Sequence, residues 1–117
     1  PRVLVLDEPT SQLDPIGSRE VFAVLRDLAA TDASTVVLAE QKLEWVAVFA
    51  DRVLVMHEGR IVADGPPGDI LASPDLPRYG LEPTRYTQAA RAAQAAGLAP
   101  GKPHLPVTLE EAVEFFR

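Results

Sequence analysis

Four consecutive apolar residues, Val3-Leu4-Val5-Leu6, run into two adjacent carboxylates, Asp7 and Glu8, and the chain then turns through Pro9-Thr10-Ser11-Gln12-Leu13-Asp14. A short, continuous apolar run of this kind predicts a buried strand of a parallel sheet. Asp14-Pro15 offers an N-cap followed by proline at the first helical position, and Val21, Val24, Leu25 and Leu28 recur at helical spacing, so a helix is expected over about 16–30. Thr35-Val36-Val37-Leu38-Ala39, entered from the polar Asp32-Ala33-Ser34, predicts a second buried strand that ends at Glu40-Gln41. Leu43, Val46, Ala47 and Ala50 then share one face of a short helix that stops before Asp51.

The second half of the pattern is more broken. Val53-Leu54-Val55-Met56 and Arg60-Ile61-Val62-Ala63-Asp64 flank His57-Glu58-Gly59, where glycine supplies the positive φ of a tight hairpin turn. Gly65-Pro66-Pro67-Gly68 interrupts regular structure, Asp69-Ile70-Leu71-Ala72 reads as a helical turn stopped by Ser73-Pro74, and residues 76–83 read as a linker. Thr84 is placed to cap a helix whose small-residue face is Tyr86, Ala89, Ala90 and Ala93, with Gly97 ending it. After a Pro- and Gly-rich connector over 98–106, Thr108-Leu109-Glu110-Glu111 has the form of a capping box, and Leu109, Ala112, Val113 and Phe116 repeat at helical spacing. The expected organisation is an α/β unit over 1–75, with parallel strands, flanking helices and a hairpin, followed by a linker and helical tail over 76–117.

Composition narrows the partners. The 117 residues are 47% hydrophobic, enough for a packed core, and carry a net charge of −6 with Lys and Arg scattered singly. That distribution argues against a nucleic-acid backbone as the main ligand. The chain has no cysteine, which excludes a disulfide framework or a thiolate metal site, and no apolar run nears the length of a membrane span. It opens directly on a core strand without an initiating Met, so a preceding piece of protein is expected.

Asp and Glu delivered together to the end of a buried strand are a means of presenting a Mg²⁺ carboxylate beside one that activates water. The segment from Val3 to Asp14 resembles the Walker B strand and D-loop of ABC-type ATPases, and the likeness continues through Thr35 to Glu44 (the strand and turn carrying the switch residue) and Asp51 to Gly65 (the hairpin). Gln12-Leu13-Asp14-Pro15, Ala39-Glu40-Gln41-Lys42-Leu43-Glu44, Leu81-Glu82-Pro83 and Leu109-Glu110-Glu111-Ala112 are further similar to ATPase subunits of energy-coupling-factor importers of vitamins and transition-metal ions. The fold this implies is a partial P-loop NTPase core with a helical C-terminal tail. It also implies ATP and Mg²⁺ as cofactors, a second ATPase subunit, identical or not, and transmembrane transporter subunits as partners. The location implied is cytoplasmic, on the inner face of the membrane through those partners and without direct insertion.

By that resemblance Asp7 holds Mg²⁺ through its water shell, Glu8 orients and polarises the attacking water, and Ser11 and Asp14 belong to the nucleotide-linked D-loop, with Asp14 reaching across to the second subunit. The plain alternative for Glu8 is an exposed strand-end charge; for Asp14 it is helix capping alone. Gln41 departs from the family, which usually has a His there touching the γ-phosphate. An amide donates a hydrogen bond to phosphate but neither becomes cationic nor shuttles a proton. The site it implies is slow, or the less active of an asymmetric pair, unless Gln41 is an ordinary turn residue. His57 and His104 read as surface residues, and Trp45 and Phe49 as packing against the tail.

Three readings fit the sequence: part of an importer's ATP-hydrolysing subunit, an ATPase-like subunit with a weak or non-catalytic site acting in dimerisation or regulation, and a soluble ABC protein. The acidic charge and importer-like tail disfavour the third. The chain contains no Gly-x-x-x-x-Gly-Lys-Ser/Thr loop to cradle β- and γ-phosphates and no Leu-Ser-Gly-Gly-Gln type signature. Purified residues 1–117 are therefore predicted to show no ATP turnover; measurable turnover abolished by Glu8→Ala contradicts this.

Overall fold

A computed structural model describes residues 2–31, 33–99 and 101–117. Pro1, Asp32 of the expected turn and Pro100 of the connector lie outside the described residues. The order of elements is β1 (Val3–Asp7), α1 (Pro15–Thr31), β2 (Thr35–Ala39), α2 (Leu43–Phe49), β3 (Val53–His57), β4 (Arg60–Gly65), α3 (Pro67–Leu71), a 3-10 turn (Leu76–Tyr79), α4 (Arg85–Ala95) and α5 (Leu109–Phe115). β1 and β2 pair in parallel across the α1 crossover, with Val3 opposite Thr35 and Asp7 opposite Ala39. β3 and β4 pair antiparallel through a two-residue turn in which Glu58 and Gly59 both have positive φ, with a bulge at Val55/Met56. A bidentate Arg52–Asp64 pair, at 2.8 and 2.6 Å, straps the hairpin, and the hydrogen bonds from Arg52 hold the Asp64 carboxyl below its ordinary pKa.

The main core lies where α2, the hairpin, α3 and the tail meet. Leu43, Ala47, Val53, Val55, Leu71, Leu76 and Val107 form one buried cluster. Leu76, at 1% exposure, sits in a segment that the Pro spacing suggests is a linker; it is instead a packed turn, ended by Gly80 in the left-handed region.

Several buried faces differ from the spacing-based expectation. On α1 the buried residues are Ser18, Phe22 and Leu25, while Val24 is exposed. The reason is aromatic: Phe22 stacks on Trp45 and Phe49 of α2, with ring centroids 6.0 and 5.4 Å away, and Arg26 lies over Phe49. Trp45 and Phe49 thus pack against α1, not the tail. On α4 the inward residues are Thr87 and Ala90, with Ala89 exposed, because Thr87 donates a 2.6 Å hydrogen bond to the Pro106 carbonyl and turns that face to the connector. Thr84 stands at the N-cap but makes no capping bond, lying 3.4 Å from the Thr87 hydroxyl. On α5 Ala112 and Phe115 are buried and Leu109 and Val113 are exposed, as is Phe116 at its C-cap. Thr108 accepts from Glu111 N as a capping box requires, but the Glu111 carboxylate accepts from Val107 N, one residue beyond the usual partner, Thr108 N.

The largest difference concerns β1 and β2. Neither is buried on both faces: Val3, Val5 and Val37 are 57%, 70% and 49% exposed, while the opposite face is half-buried. Among the described residues, helices cover only one side of this strand pair. Such an open apolar face with unpaired edges favours association. The purified chain is predicted to self-associate, and Val5→Glu with Val37→Lys to reduce it in sedimentation; a monomeric, reversibly melting wild type contradicts this.

Candidate functional site

The in-register pairing sets the C-terminal ends of β1 and β2 side by side. Asp7 is the last residue of β1, opposite Ala39, and Glu8 N donates to the Ala39 carbonyl at 2.8 Å, extending the ladder by one bond. Asp7 is exposed and Glu8 half-buried, and neither carboxylate bonds to another side chain among the described residues. Glu8 has φ 47°, a left-handed conformation that a non-glycine residue adopts at a cost of about 1 kcal/mol or more. The reversal there ends β1 and starts a turn closed by Ser11 N to Glu8 O (3.2 Å) and Leu13 N to Thr10 O (3.1 Å).

That turn is held from the other strand. The Thr10 hydroxyl, fully buried, donates to Glu40 Oε2 at 2.8 Å, while Glu40 Oε1 accepts from Gln41 N and Lys42 N at 3.0 and 3.3 Å. Lys42 Nζ donates to the Thr10 carbonyl at 2.6 Å, the Ser18 hydroxyl at 3.2 Å and the Leu13 carbonyl at 3.4 Å. No spacing in the sequence points to Thr10, Glu40 and Lys42 as partners, since bonds spanning 30 and 32 residues have no local signal.

The remaining expected residues occupy distinct places. Ser11 is exposed in the turn. Asp14 Oδ1 accepts from Gly17 N at 2.7 Å, so its carboxylate caps α1; a Cβ at Gly17 would stand 3.1 Å from that oxygen. Gln41 is exposed just beyond β2, on the rim of a cleft of about 560 Å³ whose lining includes Glu44, Tyr79, Glu82, Arg85 and Gln88. Among the described residues, none of Asp7, Glu8, Ser11, Asp14 and Gln41 bonds to another of the five through its side chain. His57 is half-buried, its ring 5.5 Å from Tyr79, and His104 is exposed in the connector; neither belongs to the strand ends.

The donor chemistry fits Mg²⁺. No three His, Cys, Asp or Glu residues gather among the described residues, so no all-protein cage exists there; a single exposed carboxylate such as Asp7 suits an ion that retains most of its water.

Parallel strands joined by a helical crossover, with carboxylates unpaired at one strand end beside a turn pinned to the next, define an α/β fold. No family model matches the chain. A putative ABC transporter ATP-binding protein of Methanosarcina acetivorans is 46% identical over 93 residues, covering 78% of this chain and 15% of the relative. The energy-coupling factor transporter ATP-binding protein EcfA1 of Caldanaerobacter subterraneus subsp. tengcongensis is 40% identical over 116 residues, covering 98% of this chain and 41% of the relative. The solved structure of cbiO1 from Clostridium perfringens, described as part of the ABC transporter complex cbiONQ, matches with a TM-score of 0.60 and 29% identity over 81% of this chain and 33% of that one. The chain belongs to the family of ABC transporter ATP-binding proteins, and it spans less than half the length of each of these relatives.

Asp14 allows capping to be separated from any further role. Asp14→Ala is predicted to cost about 1 kcal/mol in chemical denaturation and Asp14→Asn only a few tenths, because an Asn oxygen still accepts from Gly17 N. Equal losses for the two contradict the capping assignment.

Proposed function

We propose that this chain is the segment carrying Mg²⁺ and water-activating carboxylates in an ATP-hydrolysing subunit that drives membrane import of a small solute, a vitamin or a metal ion. The observation that supports the reading is the in-register strand pair, which brings the backbone at Asp7 and Glu8 level with Ala39, just before Glu40 and Gln41. The EcfA1 match adds support, since it covers 98% of the chain and therefore includes most of the tail. Residues 1–75 form the ATPase portion in this reading, and 76–117 a packed turn, a connector and a helical tail. No helix among the described residues is long and apolar enough to cross a membrane, so attachment on the cytoplasmic face would run through transmembrane subunits.

Asp7 would hold the water shell of Mg²⁺, which neutralises charge on the β- and γ-phosphate oxygens when bound. Glu8 would accept a proton from the water attacking in line. Gln41 would donate its amide N–H to a γ-phosphate oxygen, and Ser11 and Asp14 would face the second ATPase subunit. Gln41 also favours a second reading: lacking a group that becomes cationic near neutral pH, the site would turn over slowly and act chiefly by clamping the dimer.

In the full-length protein Glu8→Gln is predicted to retain ATP binding while lowering turnover about a hundredfold or more. An unchanged rate removes Glu8 from the role assigned. Gln41→His should raise turnover or move its pH dependence into the range where imidazole titrates, and Gln41→Ala should lower turnover. If both leave rate, affinity and pH profile unchanged, Gln41 is a turn residue.

A further inference from the structure

Gln41 lies between two charged residues that both reach to the same distant turn. Glu40, before it, accepts from the Thr10 hydroxyl; Lys42, after it, donates to the carbonyls of Thr10 and Leu13 and to the hydroxyl of Ser18. Thr10 lies two positions beyond Glu8, Leu13 immediately precedes Asp14, and Ser18 is in the first turn of α1. Thr10 and Ser18 are fully buried, so the bonds to their hydroxyls are shielded from competing water.

We infer that Lys42 is a positioning residue that fastens the 9–14 turn and the start of α1 to the backbone at Gln41, so that Glu8, the turn and Gln41 shift as one unit. The inference rests on the reading of Glu8 and Gln41 given above.

An ammonium has three N–H donors, and the three acceptors at 2.6, 3.2 and 3.4 Å account for all of them. Lys42 is therefore engaged with the turn and is not a substitute phosphate ligand for the family's imidazole. Glu40 completes the clamp from the other side: one oxygen holds Thr10 and the other accepts from the backbone N–H groups of Gln41 and Lys42. Movement of residue 41 toward or away from a phosphate is thereby transmitted to the segment that begins after Glu8 and ends at Asp14.

The test uses the full-length protein, with steady-state kcat and KM for ATP, equilibrium ATP affinity and thermal melting measured on Lys42→Met, Lys42→Arg, Thr10→Val and Glu8→Gln. Lys42→Met should lower kcat about tenfold or more, since small misplacements of reacting groups are costly, while KM and ATP affinity stay within about twofold. Lys42→Arg, which keeps donors for the turn carbonyls, should recover part of the loss. Thr10→Val removes the Glu40 bond, and combining it with Lys42→Met should cost less than the sum of the two single losses, because both release the same turn. If Lys42→Met does not fold, Ser18→Ala and Lys42→Gln remove less of the clamp and should lower kcat in the same manner.

A normal kcat in these variants, or a loss confined to melting temperature with kcat per folded molecule unchanged, overturns the inference while a dead Glu8→Gln leaves the functional reading standing. A rise in KM with kcat retained overturns it in favour of direct phosphate binding by Lys42. Full activity of Glu8→Gln overturns the functional reading, and this inference with it.

Discussion

The parallel register of β1 on β2 is the constraint on which the rest of the site depends. Asp7 opposite Ala39, with the ladder continued by Glu8 N to the Ala39 carbonyl, determines which residues emerge together at the strand ends. A one-residue slip would turn each side chain of the slipped strand to the other face and separate Glu8 from Glu40. The register is held locally by side chains: the Thr10–Glu40 bond and the three bonds from Lys42 form only when the two strand ends are level. Backbone ladder and side-chain clamp therefore specify the same alignment, the agreement between levels that favours one structure over its neighbours.

The main apolar core lies away from these strands. It joins α2, the hairpin, α3 and the packed turn at Leu76 to Val107 of the tail, so the last third of the chain is part of the folded body. Glu44 of α2 also meets Arg85 at the start of α4, at 3.3 Å to its N–H and 3.5 Å to Nε. The helix that begins just after Gln41 is thus packed on one side against Phe22 of α1 and tied on the other to the tail.

Much of the architecture was legible from pattern. Strand periodicity, the Asp-Pro helix start and the Glu-Gly turn each depend on local chemistry, and the elements they predict are present. The buried faces of helices were less legible, because helical spacing identifies a stripe but not its neighbour. Spacing favours Val24 over Phe22, since only the fold brings Trp45 and Phe49 onto Phe22. At the site, Asp7, Glu8, Ser11, Asp14 and Gln41 came from a motif written along one stretch of chain or one strand end. Thr10, Glu40 and Lys42 are held together by long-range pairing that no spacing encodes.

The proposed function requires these two strand ends to face the γ-phosphate of bound ATP. A crystal structure of the full-length Glu8→Gln protein with ATP and Mg²⁺ tests it most directly. The residue 8 side chain is then expected within hydrogen-bond reach of a water aligned with the γ-phosphate, about 2.6–3.2 Å, with Asp7 in the water shell of the metal and the Gln41 amide on a phosphate oxygen. Nucleotide bound with its γ-phosphate remote from Asp7 and residue 8 would contradict it.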